Sequence, residues 1–175
     1  MTRGFRYAFN KLNKNPMEIP KSSPEIFDRI LMLKKSPVFS AVTTENLYVV
    51  AQELVETHYM PGERVFDINE QGDHMYIIQS GKIGISIDAS PEVKKYVAIL
   101  GQGECVGEMG MLDDLPRSAT AHVIEESVLL TLEKSRLKAL ITHYPDLALG
   151  ILRGLSLRLR VANEKSDLAA KDSKK

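Results

Sequence analysis

The sequence predicts a mainly β domain, a sandwich or barrel, with helices at both ends. Short segments of strand character follow one another roughly every ten residues, separated by turn residues such as Pro61-Gly62 and Ser80-Gly81. Helical spacing of apolar residues is found only before and after this region. Such closely spaced strands argue against a parallel sheet with crossover helices.

Two helices are predicted ahead of the strands. Ser23 can cap the first helix and Pro24 suits its first turn, followed at helical spacing by Ile26, Phe27, Ile30 and Leu31. A second start at Thr43–Thr44 precedes one apolar face of Leu47, Val50, Ala51 and Leu54. Residues 1–24 show no sustained period, which predicts a basic leader or linker; a basic arm for a partner is the alternative.

The β region is predicted to cover about 55–133. Its strand segments are rich in β-branched and aromatic residues and are bounded by Gly, Pro, Asn, Asp or Ser. They are 55–60, 64–68, 75–79, 82–88, 96–100, 119–124 and 128–132.

Two further helices are predicted after the strands. Ser135 can cap a short helix at 135–143, and Pro145 with Asp146 suits the first turn of a longer one at 145–165. Residues 166–175 are predicted to be a frayed basic tail.

The longer helix carries an apolar stripe at alternating intervals of four and three residues: Ala148, Leu152, Leu155, Leu159 and Ala162. Such spacing is typical of a seam between paired helices, so a homodimer through 145–165 is expected. The alternative is a helix that lies on its own barrel. Gly154 interrupts the helix as either a hinge or a tolerated weak point, since glycine costs about 1 kcal/mol relative to alanine there.

Composition limits the class of protein. The chain has 175 residues and a net charge of zero, divided into +5 for 1–35, −11 for 36–133 and +6 for 134–175. The acidic middle argues against a binder of long polyanions such as nucleic acid. The single Cys105 excludes an internal disulfide and any multi-cysteine metal site, which suits a cytoplasmic location. No apolar run reaches the roughly 18 residues that a membrane span requires.

One segment carries recognisable chemistry. GQGECVGEMG, at 101–110, concentrates glycines that let a backbone approach a ligand closely. A helical turn starting near Gly107 would offer free N–H groups to phosphate oxygens. Arg117, the only basic residue between Lys95 and Lys134, could join them, and Glu108 could accept a sugar hydroxyl. The alternative is ordinary turns, with Arg117 paired on the surface to Asp113 or Asp114.

The segment VGEMGMLDDLPRSATA strongly resembles the phosphate-binding cassette of the cyclic nucleotide-binding domain family, which includes catabolite activator-like proteins and protein kinase A regulatory subunits. PGERVFDINEQGDHMYIIQSGKIGI resembles the family's strand–turn–strand segment. The resemblance covers about 31–165 and implies an eight-stranded jelly roll with a C-terminal lid or dimer helix, in a domain at about 25–165.

The resemblance also implies roles for individual residues. Glu108 would bind the ribose 2′-hydroxyl and Arg117 the cyclic phosphate, with backbone N–H groups and the Ser118 hydroxyl completing the cradle. Val106 and Met109 would line the sugar and base. The full predicted ligand-binding set is Val106, Gly107, Glu108, Met109, Gly110, Arg117, Ser118, Ala119 and Asn163.

The last of these residues comes from LRLRVANEK at 157–165, which resembles the central helix of activator-type members. Ala162 and Asn163 occupy the place of a Thr-Ser pair that contacts adenine, and the amide of Asn163 favours cyclic AMP over cyclic GMP. Only ten residues follow Lys165, too few for the winged helix-turn-helix of the activators. We therefore expect no direct nucleic acid binding, and output through a fused or separate effector.

Two other functions are weighed against this sensor. A ligand-unresponsive dimerisation or docking module would have the same fold, but it would be expected to lose Arg117 or Glu108. A cupin-type metalloenzyme would need converging ligands, whereas the histidines are solitary: His58, His74, His122 and His143. The sequence thus predicts a regulatory, non-enzymatic module without metal, which transmits ligand occupancy through its C-terminal helix.

Overall fold

The computed structural model describes the backbone of residues 23–87 and 95–172 and the side chains of 25–87 and 95–164. The predicted leader at 1–24 lies outside this range except for its last two residues. Residues 173–175 of the predicted tail also lie outside it.

Two four-stranded antiparallel sheets form a β-sandwich in the described part of the chain, as the jelly-roll expectation requires. The first sheet has the order β1-β8-β3-β6 and the second β2-β7-β4-β5. The strands are β1 (Val55–Tyr59), β2 (Arg64–Phe66), β3 (His74–Ser80), β4 (Ile83–Ser86), β5 (Ala98–Leu100), β6 (Cys105–Val106), β7 (Thr120–Val123) and β8 (Ser127–Glu133). The two-residue β6 was not predicted because it is too short to show a period.

Strand β3 separates two hydrophobic cores, which explains its unbroken apolar run. Tyr76 and Ile78 point between the sheets, where they pack with residues such as Phe66 and Val106. Met75 and Ile77 belong instead to the core beneath the helices. Alternate side chains of a strand lie on opposite faces, and here both faces are covered.

Five helices lie outside the sheets in the described chain: α1 (Ser23–Lys35), α2 (Thr44–Glu53), α3 (Glu108–Leu112), α4 (Lys134–His143) and α5 (Pro145–Asp172). The Thr43 side chain caps α2 by accepting from the Asn46 N–H at 3.4 Å. The expected cap by Ser135 is wrong, because its hydroxyl donates to Glu133 instead. Helix α5 also runs seven residues beyond 165, so the expected frayed tail is helical through Asp172.

The first part of α5 is anchored on the helical core. Leu147 and Ile151 are buried there. A Cβ atom at Gly154 would lie 2.6 Å from the Val38 carbonyl oxygen, and one at Gly150 would lie 2.9 Å from the Val42 Cα. Gly154 is therefore neither a hinge nor a weak point. Its missing side chain lets the helix touch the turn between α1 and α2.

The predicted apolar stripe of α5 lies mainly on its solvent side. Leu152 and Leu159 are 60% and 62% exposed, and Ala162 is also exposed. Ala148 and Leu155 are half-buried, and Leu155 packs against the helical core. The alternative of a helix that lies on its own domain therefore describes the first part of α5, whereas pairing of the exposed part with a second copy stays a prediction.

Candidate functional site

The candidate site is built on the chain between β6 and β7. Strand β6 fixes its beginning, because Val106 pairs with Tyr76 of β3. The segment then turns at Gly107, forms the short helix α3 and returns through Arg117 to β7. This arrangement brings together most of the residues that the sequence predicts for the site.

Glycine is required at two positions around Arg117. Gly107 has φ +79°, and a Cβ there would lie 2.4 Å from the Arg117 Nη1 atom. A Cβ at Gly72, in the loop before β3, would lie 2.7 Å from the Arg117 Cζ atom. Any larger residue would occupy the space of the guanidinium, so both glycines make the position of Arg117 possible.

Arg117 is only 5% exposed and is held mainly by uncharged groups. Nη1 donates to the Gly107 carbonyl at 2.8 Å and Nη2 to the His74 carbonyl at 2.6 Å. The guanidinium carbon lies 4.2 Å from the centre of the Phe66 ring, a cation–π contact. The alternative of a surface pair with Asp113 or Asp114 is therefore wrong.

The Nε atom of Arg117 is buried and has no hydrogen-bond partner within the described residues. Burial also lowers the pKa of Arg117 from its usual value, although the side chain stays cationic near neutral pH. A buried, unsatisfied donor on a cation is costly. An anion beside Nε would remove that cost.

The backbone around Arg117 is fixed by the loop before β3. The Arg117 N–H donates to the Glu70 carbonyl at 2.8 Å, and the Arg117 carbonyl accepts from Asn69 N–H at 2.9 Å. Both ends of the residue, main chain and side chain, are therefore placed before any ligand binds.

Glu108 is 7% exposed and makes an ion pair that the sequence analysis missed. Arg158 of α5 donates from Nη1 to the Glu108 Oε1 atom at 2.5 Å. This hydrogen bond to Glu108 raises the pKa of Arg158. A signal existed in the sequence, because Arg158 continues the buried Leu147, Ile151, Gly154 series at helical spacing.

The other predicted cassette residues have different surroundings. Val106 is buried between the sheets, Gly110 is buried in α3, and Ala119 is half-buried. Met109 and Ser118 are exposed at the mouth of the site, where the Ser118 hydroxyl lies 3.9 Å from the Met109 sulfur.

Asn163 is not brought to this cassette. It is exposed on α5, five residues beyond Arg158. Five residues of an α-helix correspond to a rotation of about 140°. Asn163 therefore points away from the cassette that Arg158 contacts, and lies beside the exposed apolar stripe.

The described part of the chain was also compared with the requirements of a metal site and of a membrane span. No three His, Cys, Asp or Glu side chains converge there as metal ligands would, which is what the metalloenzyme alternative requires. Cys105 is a buried free thiol. No described helix combines the length and apolar character of a membrane span.

Comparisons with known proteins agree with this geometry. The sequence profile of the cyclic nucleotide-binding domain matches residues 56–144. The chain is 32% identical over 136 residues to the cyclic AMP receptor protein of Thermus thermophilus, covering 78% of this chain and 63% of the relative. It is 32% identical over 125 residues to a cAMP-dependent protein kinase regulatory subunit of Debaryomyces hansenii, covering 69% and 27%.

A solved structure shows the same fold. The N-terminal domain of a Streptomyces coelicolor transcriptional regulator superposes with a TM-score of 0.67 at 27% identity, covering 76% of this chain and 95% of that domain. The chain spans less than two thirds of the length of either sequence relative. The family profile, the shared fold and the buried arginine beside its glycine turn together place this chain in the cyclic nucleotide-binding domain family.

Proposed function

We propose that this domain binds cyclic AMP, in preference to cyclic GMP, and reports its occupancy through α5. The observation that carries the proposal is Arg117, a buried cation whose Nε–H has no partner in the described chain. The cyclic phosphate would be the anion beside it.

The charge of the site suits a small monoanion. Two of the five N–H donors of Arg117 are used by the carbonyls of Gly107 and His74, which leaves Nε–H and others for phosphate oxygens. The neighbouring carbonyls and the Phe66 ring carry no net charge. A single phosphate would therefore neutralise the guanidinium without displacing a carboxylate from it.

Glu108 would distinguish ribose from deoxyribose. Its Oε1 atom accepts from Arg158, which leaves Oε2 as the carboxylate oxygen proposed for the sugar. A ribose 2′-hydroxyl could donate to that oxygen, and a deoxyribose could not. A buried carboxylate left without this bond discriminates against the deoxy analogue.

The base preference is proposed from the mouth of the site. Met109 offers apolar surface there and Ser118 offers a hydroxyl. The Asn163 amide, which could bind adenine, faces away from its own cassette. It would serve the site of a second copy paired along the α5 stripe.

Transmission through α5 would begin at the Glu108–Arg158 pair. The Glu108 carboxylate would bind both the ribose of the ligand and Arg158 of α5. Ligand binding would therefore change the environment of the carboxylate that holds Arg158. Occupancy then alters how firmly the outer part of α5 is held over the cassette. An attached or separate effector would read that change, in the reducing cytosol that the free Cys105 thiol suits.

Calorimetric titration with cyclic AMP, cyclic GMP, 2′-deoxy cyclic AMP and 5′-AMP tests the proposal. We expect Arg117→Met to weaken cyclic AMP binding by roughly 2–5 kcal/mol, well over tenfold. Arg136→Met is the matched control, because Arg136 is an exposed arginine whose ion pair with Glu53 lies outside the cassette.

Two outcomes would contradict the assignment. Equal affinity in the parent and Arg117→Met would remove the phosphate role of Arg117. No heat and no thermal shift with either nucleotide at millimolar concentration would favour the ligand-unresponsive docking module instead.

A further inference from the structure

Lys134 links three parts of the candidate site, although it lies outside the cassette. It is the first residue of α4, directly after β8, and its side chain is 13% exposed. Its ammonium donates to the Gly110 carbonyl at 2.8 Å and forms an ion pair with Asp114. Its backbone N–H donates to the Asp73 carbonyl at 2.8 Å.

The contact with Gly110 acts on the cassette helix. With only five residues, α3 has few internal hydrogen bonds, so most of its terminal carbonyls need other partners. The Lys134 ammonium supplies one to Gly110, three residues after the carbonyl that accepts from Arg117. A cation there also complements the negative end of the helix.

The contact with Asp114 acts on the return segment. Asp114 has φ +57°, a left-handed conformation that is uncommon outside glycine and is adopted by aspartate more often than by most residues. Lys134 holds this residue three positions before Arg117, and its hydrogen bond lowers the pKa of the Asp114 carboxyl.

The backbone contact acts on the other acceptor of Arg117. Asp73 precedes His74, whose carbonyl accepts from Arg117 Nη2 at 2.6 Å. One residue therefore holds both the cassette helix and the strand end that supply the two carbonyls around the guanidinium.

We propose that Lys134 is a positioning residue of the nucleotide site, which holds α3, the turn at Asp114 and the start of β3 in their binding arrangement before the ligand arrives. The inference rests on the proposed function. Without the ammonium, part of the binding energy would be spent on ordering the cassette.

Four variants test this role. Lys134→Met removes the ammonium and keeps most of the apolar stem, whereas Lys134→Arg keeps a cation. Asp114→Asn removes the ion pair and leaves the Gly110 bond. Lys82→Met is the matched control, because Lys82 is an exposed lysine whose ion pair with Glu125 lies outside the cassette.

Hydrogen exchange of the ligand-free protein and titration with cyclic AMP are the two measurements. We expect Lys134→Met to speed amide exchange at 107–116 and to weaken binding about tenfold, the equivalent of about 1.4 kcal/mol. Lys134→Arg should restore most of the affinity, Asp114→Asn should lose about threefold, and Lys82→Met should match the parent.

The two measurements separate this inference from the proposed function. Parent-like affinity in Lys134→Met would overturn the role of Lys134, as would a lower melting temperature with faster exchange spread evenly over the domain. If the parent itself binds no cyclic nucleotide, the proposed function fails. Faster exchange confined to 107–116 in the ligand-free Lys134→Met variant would in that case still support the role of Lys134 in ordering the cassette.

Discussion

The two parts of α5 are held to the domain by different forces. Residues 145–155, the anchored part, bury Leu147 and Ile151 and touch the α1–α2 turn through Gly150 and Gly154. In residues 156–164, the outer part, every side chain is exposed, and the Arg158–Glu108 pair joins this part to the cassette. Packing therefore fixes the position of the first part of the helix, whereas one ion pair connects the outer part to the ligand site.

The largest expected effect is a loss of stability from the anchored part. Ile151→Ala should lower the free energy of unfolding by about 2–5 kcal/mol, because a buried side chain leaves a cavity. Leu159→Ala in the outer part should change it by about 0.5 kcal/mol or less at a concentration where the protein is monomeric. Urea denaturation measures both, and equal losses would remove the distinction between the two parts.

The second effect tests the close contact at Gly154. Gly154→Ala should destabilise by about 1–3 kcal/mol, because the new methyl group meets the Val38 and Pro37 carbonyls, despite the better helix propensity of alanine. Ser156→Ala, two residues on and exposed, should be neutral or slightly stabilising. A stabilised Gly154→Ala variant would show that the contact is loose.

The third effect separates ligand coupling from stability. Arg158→Met should change the free energy of unfolding by about 1 kcal/mol or less, because Arg158 is half exposed. It should abolish any ligand-induced protection of 156–164 in hydrogen exchange, since the helix loses its link to Glu108. Arg160→Met, an exposed arginine on the same turn, is the control, and unchanged protection in Arg158→Met would exclude this route of transmission.

The smallest effect concerns Cys105, because the charges of both Glu108 and Arg158 act on its thiol. Burial, followed by the charge of Glu108, raises the pKa of the Cys105 thiol to about 11 from 9.0. Because the pKa is higher in the folded state, the protonated thiol contributes to the stability of the protein below pH 9. That contribution is lost as the pH rises through 11. Relative to Cys105→Ala, the parent should lose on the order of 1 kcal/mol by pH 10.

Arg158 acts on the thiol in the opposite direction to Glu108, since its charge lowers the pKa of Cys105. Alkylation of the native protein should therefore be slow at pH 8 and slower still in Arg158→Met. Faster alkylation in that variant would mean that the outer part of α5 shields Cys105 sterically.

Local patterns in the sequence were enough to predict most of the fold. Caps and prolines located the starts of α1, α2 and α5, and turn residues located the strand boundaries. Strand β6 escaped prediction because two residues cannot show a period. The role of Ser135 was wrong because Glu133, two residues earlier, provides a stronger partner for its hydroxyl than the helix does.

The site was predictable only where its chemistry is consecutive in sequence. The cassette pattern indicated Gly107, Glu108 and Arg117, and the structure brings these residues together. The contacts of Arg158, Lys134 and Gly72 come from distant segments that meet only in the folded chain. No local pattern in the sequence shows which distant segments come into contact. The orientation of α5 over the cassette depends on such contacts, so the sequence did not show that the predicted lid residue Asn163 faces away from its own cassette.

The acceptors around Arg117 also bear on how such a site can diverge. The Gly107 and His74 oxygens that hold the guanidinium belong to the main chain. Any amino acid that adopts the same backbone conformation therefore supplies the same acceptor atom. The His74 imidazole can therefore be exchanged without loss of the acceptor, whereas Gly107 and Gly72 cannot gain even a methyl group without meeting the arginine. Mutational drift at this site is thus limited by volume rather than by polarity, and a saturation library at position 74 should retain far more functional variants than one at position 72 or 107.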